Sequence, residues 1–212
     1  MKGEKATVYL PVNHTVFYGN EKQLDLSSDI NLKIQLKKDE TGLVIIWVLD
    51  KSIKLYVQKG NNISVIMDTS NKKNTLIFEG NNAEGHRLLS ETQYTRQPEE
   101  KGWKYSKDSI AENVWEKNEA KRMEGLRIFE ELLNQKKIDQ HFFDFAKSYN
   151  DYHYAGVIPS AVLCHYYPTT LSKDNPDHKE KFADDFAAIW ERVFKQYPLD
   201  NDLALQTPWF SD

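Results

Sequence analysis

The chain has 212 residues and a mass of 24.8 kDa, with 40% hydrophobic and 12% aromatic residues, which suits a globular protein with a sizeable core and excludes a disordered one. The formal net charge of −4 is uneven: residues 1–80 carry 11 Lys against 9 acids, and residues 81–212 carry 17 Lys+Arg against 23 acids. An acidic second half argues against a nucleic-acid partner. No apolar run approaches the ~20 residues that cross a bilayer, and no polybasic segment marks a membrane-surface protein.

The N-terminal stretch "MKGEKATVYLPVNH" lacks the apolar stretch of a signal peptide. The expectation is a cytosolic protein or a chain that begins after a removed leader. Cys164 is the single cysteine, so no internal disulfide forms and the redox compartment stays open.

From Ala6 to Phe78 seven short runs read as strands: "ATVYL", "HTVFY", "NLKIQLK", "LVIIWVL", "SIKLYVQ", "ISVIMD" and "TLIFE". Turn-rich pieces such as "KKDETG", "KGNN" and "TSNKKN" separate them. In "NLKIQLK", Leu32, Ile34 and Leu36 alternate with Lys33, Gln35 and Lys37, the pattern of one dry and one wet face. "LVIIWVL" does not alternate, which predicts a central strand covered on both sides. Seven strands joined by short turns suggest an antiparallel sandwich or small barrel.

"TLIFEGNNAEGHRLLSE" (Thr75 to Glu91) then turns from strand to helix. Gly80 supplies the backbone freedom for the corner, and Asn82 is the expected N-cap, its side-chain oxygen accepting a free amide.

Beyond it, "SIAENVWEKNEAKRMEGLRIFEELLNQKK" is helical, with Ser109 and Glu112 as a capping box and Met123, Leu126, Phe129 and Leu133 as an apolar stripe. "DQHFFDFAKSYNDYHYAG" continues with Phe142, Phe145, Tyr149 and Tyr152, until Gly156 and Pro159 interrupt it; "PSAVLCHYYP" is a short helix ending before Pro168. "DHKEKFADDFAAIWERVFKQYP" places Phe182, Phe186, Ile189, Val193 and Tyr197 on one side. Strands first and helices second give an α+β fold: an N-terminal antiparallel β-sandwich over residues 1–80 and a helical region over 81–212.

No catalytic constellation emerges. Cys164 and His165 are adjacent on a helix and point about 100° apart, so they make no thiolate–base dyad, and Cys164 reads as a core residue. The histidines at 14, 86, 141, 153, 165 and 178 show no metal-binding spacing, and His141 with Asp144 reads as a surface pair. Ser160 in "IPSAV" is not on a nucleophile elbow. "EGNNAEGHR" lacks the Lys-Ser/Thr of a phosphate loop. No cofactor is expected.

The weak interaction candidates are His86 and Arg87 at the strand-to-helix corner, and Trp103 and Tyr105 in the lysine-flanked loop "QPEEKGWKYSKDS". Exposed aromatics can stack on sugars or anchor a protein partner. The plainer reading has Trp103 plugging the seam between sheet and helices.

The stretch "LYVQKGNNISVIMDTSNKKNTLIFEGNNAEGHRLL" (Leu55 to Leu89) resembles the N-terminal region of TlpA-type thioredoxin-like thiol-disulfide oxidoreductases from Bacteroidetes. Their small β-sandwich ends on a similar "F.G.naE.n.ll" motif, matched by "FEGNNAEGHRLL", although Lys59–Gly60 stands where Pro-Gly is usual. The tail "YPLDNDLALQTPWFSD" resembles the linker that precedes the family's thioredoxin module.

The W-C-x-x-C motif of that module is absent, and Cys164 corresponds to no catalytic cysteine of the family. The resemblance implies a non-catalytic accessory region of an exported protein in the periplasm or cell envelope. Its implied partners are a C-terminal thioredoxin module, client proteins and a second copy in a homodimer. The alternative from the residues themselves is a free-standing envelope binding module for a glycan or protein.

Overall fold

The computed structural model describes residues 5–16, 18–25, 41–68, 75–92, 102–105, 108, 110–170, 174 and 184–210, with backbone alone for 68, 165–170 and 210. The described strands are β1 (Lys5–Tyr9), β2 (Glu21–Asp25), β3 (Gly42–Val48), β4 (Lys51–Val57), β5 (Ile63–Asp68) and β6 (Thr75–Gly80). The helices are α1 (Ala83–Glu91), α2 (Ala111–Asn134), α3 (Gln140–Thr170) and α4 (Asp184–Gln196). Strands therefore precede helices in a mixed α and β protein.

The strands form two antiparallel sheets, one in the order β2-β1-β3-β4 and the other pairing β5 with β6. The registers Ala6↔Val48, Val8↔Ile46 and Ile46↔Ile53 bring side chains of one parity to one face. Ala6, Val8, Val44, Val48, Ile53 and Leu55 make a buried cluster there, and Ile63, Val65, Met67, Leu76 and Phe78 of the second sheet pack against it. The opposite face carries the buried Leu43, Ile45 and Tyr56. Tyr56 stacks on Phe145 of α3 at 3.9 Å and meets Phe142 edge-on at 6.2 Å. Each large apolar side chain so buried stabilises the fold by roughly 1.5–3 kcal/mol.

β3 is an interior strand covered on both faces, as its unbroken apolar run predicts, except near its end, where Trp47 is 44% exposed. The described residues of "HTVFY" form no strand. Val12 and Thr15 exchange two backbone hydrogen bonds around Asn13 and His14, both at positive φ (49° and 68°), which makes a tight turn. The following strand β2 is "EKQLD", whose polar residues concealed it; it ends the sheet order among the described residues and is little buried. "NLKIQLK" lies outside the described residues, as do Ser109 of the expected capping box and Phe182.

The chain divides into two compact units. One comprises Met1–Gln93, Phe129–Ala146 and Leu205–Asp212, and the other Tyr94–Ile128 and Lys147–Ala204. The strands thus share a unit with α1, the end of α2 and the start of α3. The C-terminal segment adds a hydrogen bond from Tyr56 Oη to Gln206 Oε1 (3.2 Å) and buries Thr207.

In the second unit α2, α3 and α4 supply the core. On α4, Phe186, Ile189 and Val193 are buried, with Tyr197 just beyond it, at the expected helical spacing. On α2 the stripe differs from expectation. Met123 is 52% exposed, and the inward positions run Val114, Trp115, Asn118, Arg122 and Leu126, reaching Leu132 in place of Leu133 in the first unit.

α3 is also longer than expected. It passes Gly156, Pro159 and Pro168 without a break. Proline removes one backbone donor and crowds the preceding turn; at the same turn Ser160 Oγ donates to the Gly156 carbonyl (2.8 Å). Phe142, Phe145, Tyr149 and Tyr152 are all buried along α3, so the packing of its aromatic stripe outweighs the helix-breaking preference.

Candidate functional site

The strand-to-helix corner is a joint built from close approaches. Gly80 has φ +92°, and a Cβ there would lie 2.1 Å from the Asn62 carbonyl oxygen. A Cβ on Gly85 would lie 2.4 Å from Phe142 and 2.7 Å from Ile138, so only glycine lets α1 sit this near α3.

Asn82 stands at the N-cap position in a left-handed conformation (φ 55°, ψ 29°) and makes no side-chain cap bond. The expected cap needs an extended backbone that aims the side chain at the helix amides. Instead Asn82 Nδ2 donates to Asp139 Oδ2 and Asn82 Oδ1 accepts from the Asp139 N–H, both at 2.8 Å. Asp139 Oδ1 in turn accepts the Phe142 N–H (2.8 Å), which caps α3. One reciprocal pair thus ties the starts of two helices.

His86 and Arg87 separate at this corner. His86 is fully buried, edge-on to Phe142 at 4.9 Å, and neither ring nitrogen has a hydrogen-bond partner. Burial pulls its pKa down to about 4, opposed by the Asp139 charge, so it is neutral at physiological pH. Arg87 faces solvent and pairs within its own helix, Nη1 with Glu91 (2.7 Å) and Nη2 with Glu84 (3.0 Å). Such exposed pairs are worth a few tenths of a kcal/mol to about 1 kcal/mol.

In the second unit, Trp103 and Tyr105 lie in a single 3-10 turn, Trp103–Tyr105, and face opposite ways. Tyr105 is the buried one; Lys121 Nζ donates to its hydroxyl (2.8 Å) and lies 5.2 Å from the ring centroid. Trp103 is 49% exposed, so Tyr105 is the buried aromatic of this turn. Gly102 sets the turn against α3: a Cβ there would lie 2.7 Å from the Ser160 carbonyl carbon.

No known protein family, curated protein or solved structure matches this chain.

A partly buried charge cluster lies between the helices of the second unit, where sequence reading singled nothing out. Arg122 donates from Nη1 to Asp151 Oδ1 (2.7 Å) and from Nε to Glu119 Oε2 (3.1 Å). Tyr197 Oη donates to Glu119 Oε1 (2.8 Å), Lys147 Nζ pairs with Asp151, and Asn150 Nδ2 donates to the Arg122 carbonyl (2.9 Å). Burial opposes the Arg122 charge, but its bonds to Glu119 and Asp151 more than offset this and raise its pKa. Burial and the bond to Glu119 push the Tyr197 hydroxyl up as well.

Each charge here answers another, so the cluster holds α2, α3 and the end of α4 in register and offers no free acid or base. The signal was legible in part. Arg122 stands four residues from both Asn118 and Leu126, on the apolar side of the helix.

Other chemistry-bearing residues are dispersed. Cys164 is 4% exposed on α3, as its core reading expected. His141 is exposed, and Asp144 accepts from Gln140 Nε2 (2.8 Å). Among the described residues no three His, Cys, Asp or Glu side chains gather as a metal set, and no helix is long and apolar enough to cross a membrane. A further aromatic ledge on the first unit joins Tyr18, Tyr9 and Trp47, with neighbouring centroids 5.2 and 5.8 Å apart.

Proposed function

We propose that this chain is a non-catalytic accessory region of an exported thiol-disulfide oxidoreductase, whose work is presenting a thioredoxin module, dimerising or recognising client proteins in the periplasm or cell envelope. In this reading the two facing antiparallel sheets are the β-sandwich of such a region, and the helices are the segment that leads to the redox module.

The observation that carries the non-catalytic part is the placement of the single thiol. Cys164 lies buried in the last third of α3, and a nucleophilic thiolate needs access and a stabilising charge. The closing motif "FEGNNAEGHRLL" supports the same reading. Its Gly80, Gly85 and Asn82 are each accounted for by a close approach or a clamp. The insulin-reduction assay tests this. The chain alone is expected to give no turnover above the buffer rate, and sustained turnover that is lost in Cys164→Ser overturns the reading.

A second reading, a free-standing envelope module for a glycan or protein, is favoured by the half-exposed Trp103 beside exposed Lys104. It predicts saturable binding on a glycan or peptide array that Trp103→Ala removes; silence across both arrays counts against it.

A further inference from the structure

We propose that α1 is a detachable cover over the outer edge of β4, and that protonation of the buried His86 detaches it. β4 ends the sheet order β2-β1-β3-β4, so its outward backbone groups face no strand among the described residues. α1 answers them at Lys54. The Lys54 N–H donates to Ser90 Oγ (2.9 Å), and Ser90 Oγ donates to the Lys54 carbonyl (3.3 Å). A serine hydroxyl thus makes both bonds that a neighbouring strand would make. The Lys54 ammonium adds bonds to the carbonyls of Thr92 (3.0 Å) and Leu89 (3.4 Å), where the helix ends in unpaired acceptors. Uncovered, such an edge is a template for pairing with another strand.

His86 lies in the middle of this cover. It has no exposed surface and no hydrogen-bond partner, and it abuts the ring of Phe142. An imidazolium at this position would be a buried charge with no acceptor. At the start of α3 the charged group that acts on it is the capping Asp139, whose two oxygens already accept from Phe142 and Asn82. β4 contributes Tyr56 and Lys54, whose ammonium is held by the helix carbonyls, and β6 contributes the exposed Glu79. On α1 itself Glu84 and Glu91 are paired with Arg87. Asp139 could supply a counter-charge only by giving up a bond that holds the corner, and the glutamates are exposed or already paired with Arg87.

The docked state keeps the ring neutral down to about pH 4, whereas a released α1 titrates near 6.5. The folded value lies below the unfolded one, so docking is unaffected above pH 6.5 and weakens as pH falls from 6.5 to 4. Between neutral pH and pH 4 the docked fraction relative to the released one drops on the order of 100-fold, toward a limit of about 300-fold below pH 4.

Native-state hydrogen exchange on the intact chain, corrected for intrinsic rates, tests this. Between pH 6.5 and 4 the amides of α1 are expected to lose protection while those of α4 keep theirs, and His86→Phe should make α1 protection independent of pH. Equal acid loss in His86→Phe, or loss from α1 and α4 together, overturns the proposal. If His86→Phe and His86→Leu both fail to fold, an NMR titration of the wild-type His86 ring decides. A midpoint below 5 in step with α1 amide shifts supports it, and a midpoint near 6.5 without such shifts overturns it.

Discussion

In the strand-bearing unit the cluster between the sheets is apolar, and Asn82 with Asp139 ties two helix starts. In the helical unit a guanidinium and two carboxylates, Arg122, Glu119 and Asp151, sit with most of their surface removed from water. The difference follows from how each kind of element fixes its neighbours. Strands in a sheet are aligned by their backbone ladders, so their side chains need only be apolar at alternate positions. Helices satisfy their own backbones, and an apolar stripe permits sliding and rotation. A buried, directional network then restricts the packing to one arrangement.

The sharpest way to break that comparison is Asp151→Ala. It leaves Arg122 and Lys147 without a shared carboxylate, and the expected loss is about 3–5 kcal/mol in urea unfolding. Arg122→Met combined with Asp151→Leu should recover most of that loss. If the double variant is as unstable as Asp151→Ala, the network contributes net stability and not only specificity.

In the strand-bearing unit the matching test is steric. Gly85→Ala would place a methyl group 2.4 Å from Phe142, and a loss of about 1–3 kcal/mol is expected from overpacking. Thermal melts read this directly, and a neutral result would mean that α1 shifts freely on α3. Trp103→Ala should have the smallest effect, about 1 kcal/mol or less, because half of the side chain already faces solvent. A much larger loss would assign Trp103 a packing role.

Much of the strand block was legible because alternation and unbroken apolar runs report how many faces are covered. The "LVIIWVL" run announced an interior strand, and the Phe186, Ile189 and Val193 spacing announced a one-sided helix. Reading failed where local preference and tertiary packing disagree. "EKQLD" pairs with β1 despite its polarity, and α3 continues through Pro159. Asn82 was assigned to the right corner but the wrong bond, since its partner, Asp139, is far away in sequence.

The candidate residues divided in the same way. Residue type alone marked Trp103, Tyr105, His86 and Arg87 as possible contacts. Only the fold separates a half-exposed Trp103 from a buried Tyr105, and an exposed Arg87 from a fully buried His86.

By itself, the sequence determined the order of strands before helices, the buried character of Cys164 and the apolar faces, because period and composition act locally along the chain. The tertiary structure decided the Asn82–Asp139 clamp, the Arg122 network and the covering of the β4 edge by α1. Each of these joins residues distant in sequence through one or two directed bonds, and no local pattern along the chain encodes such a partnership.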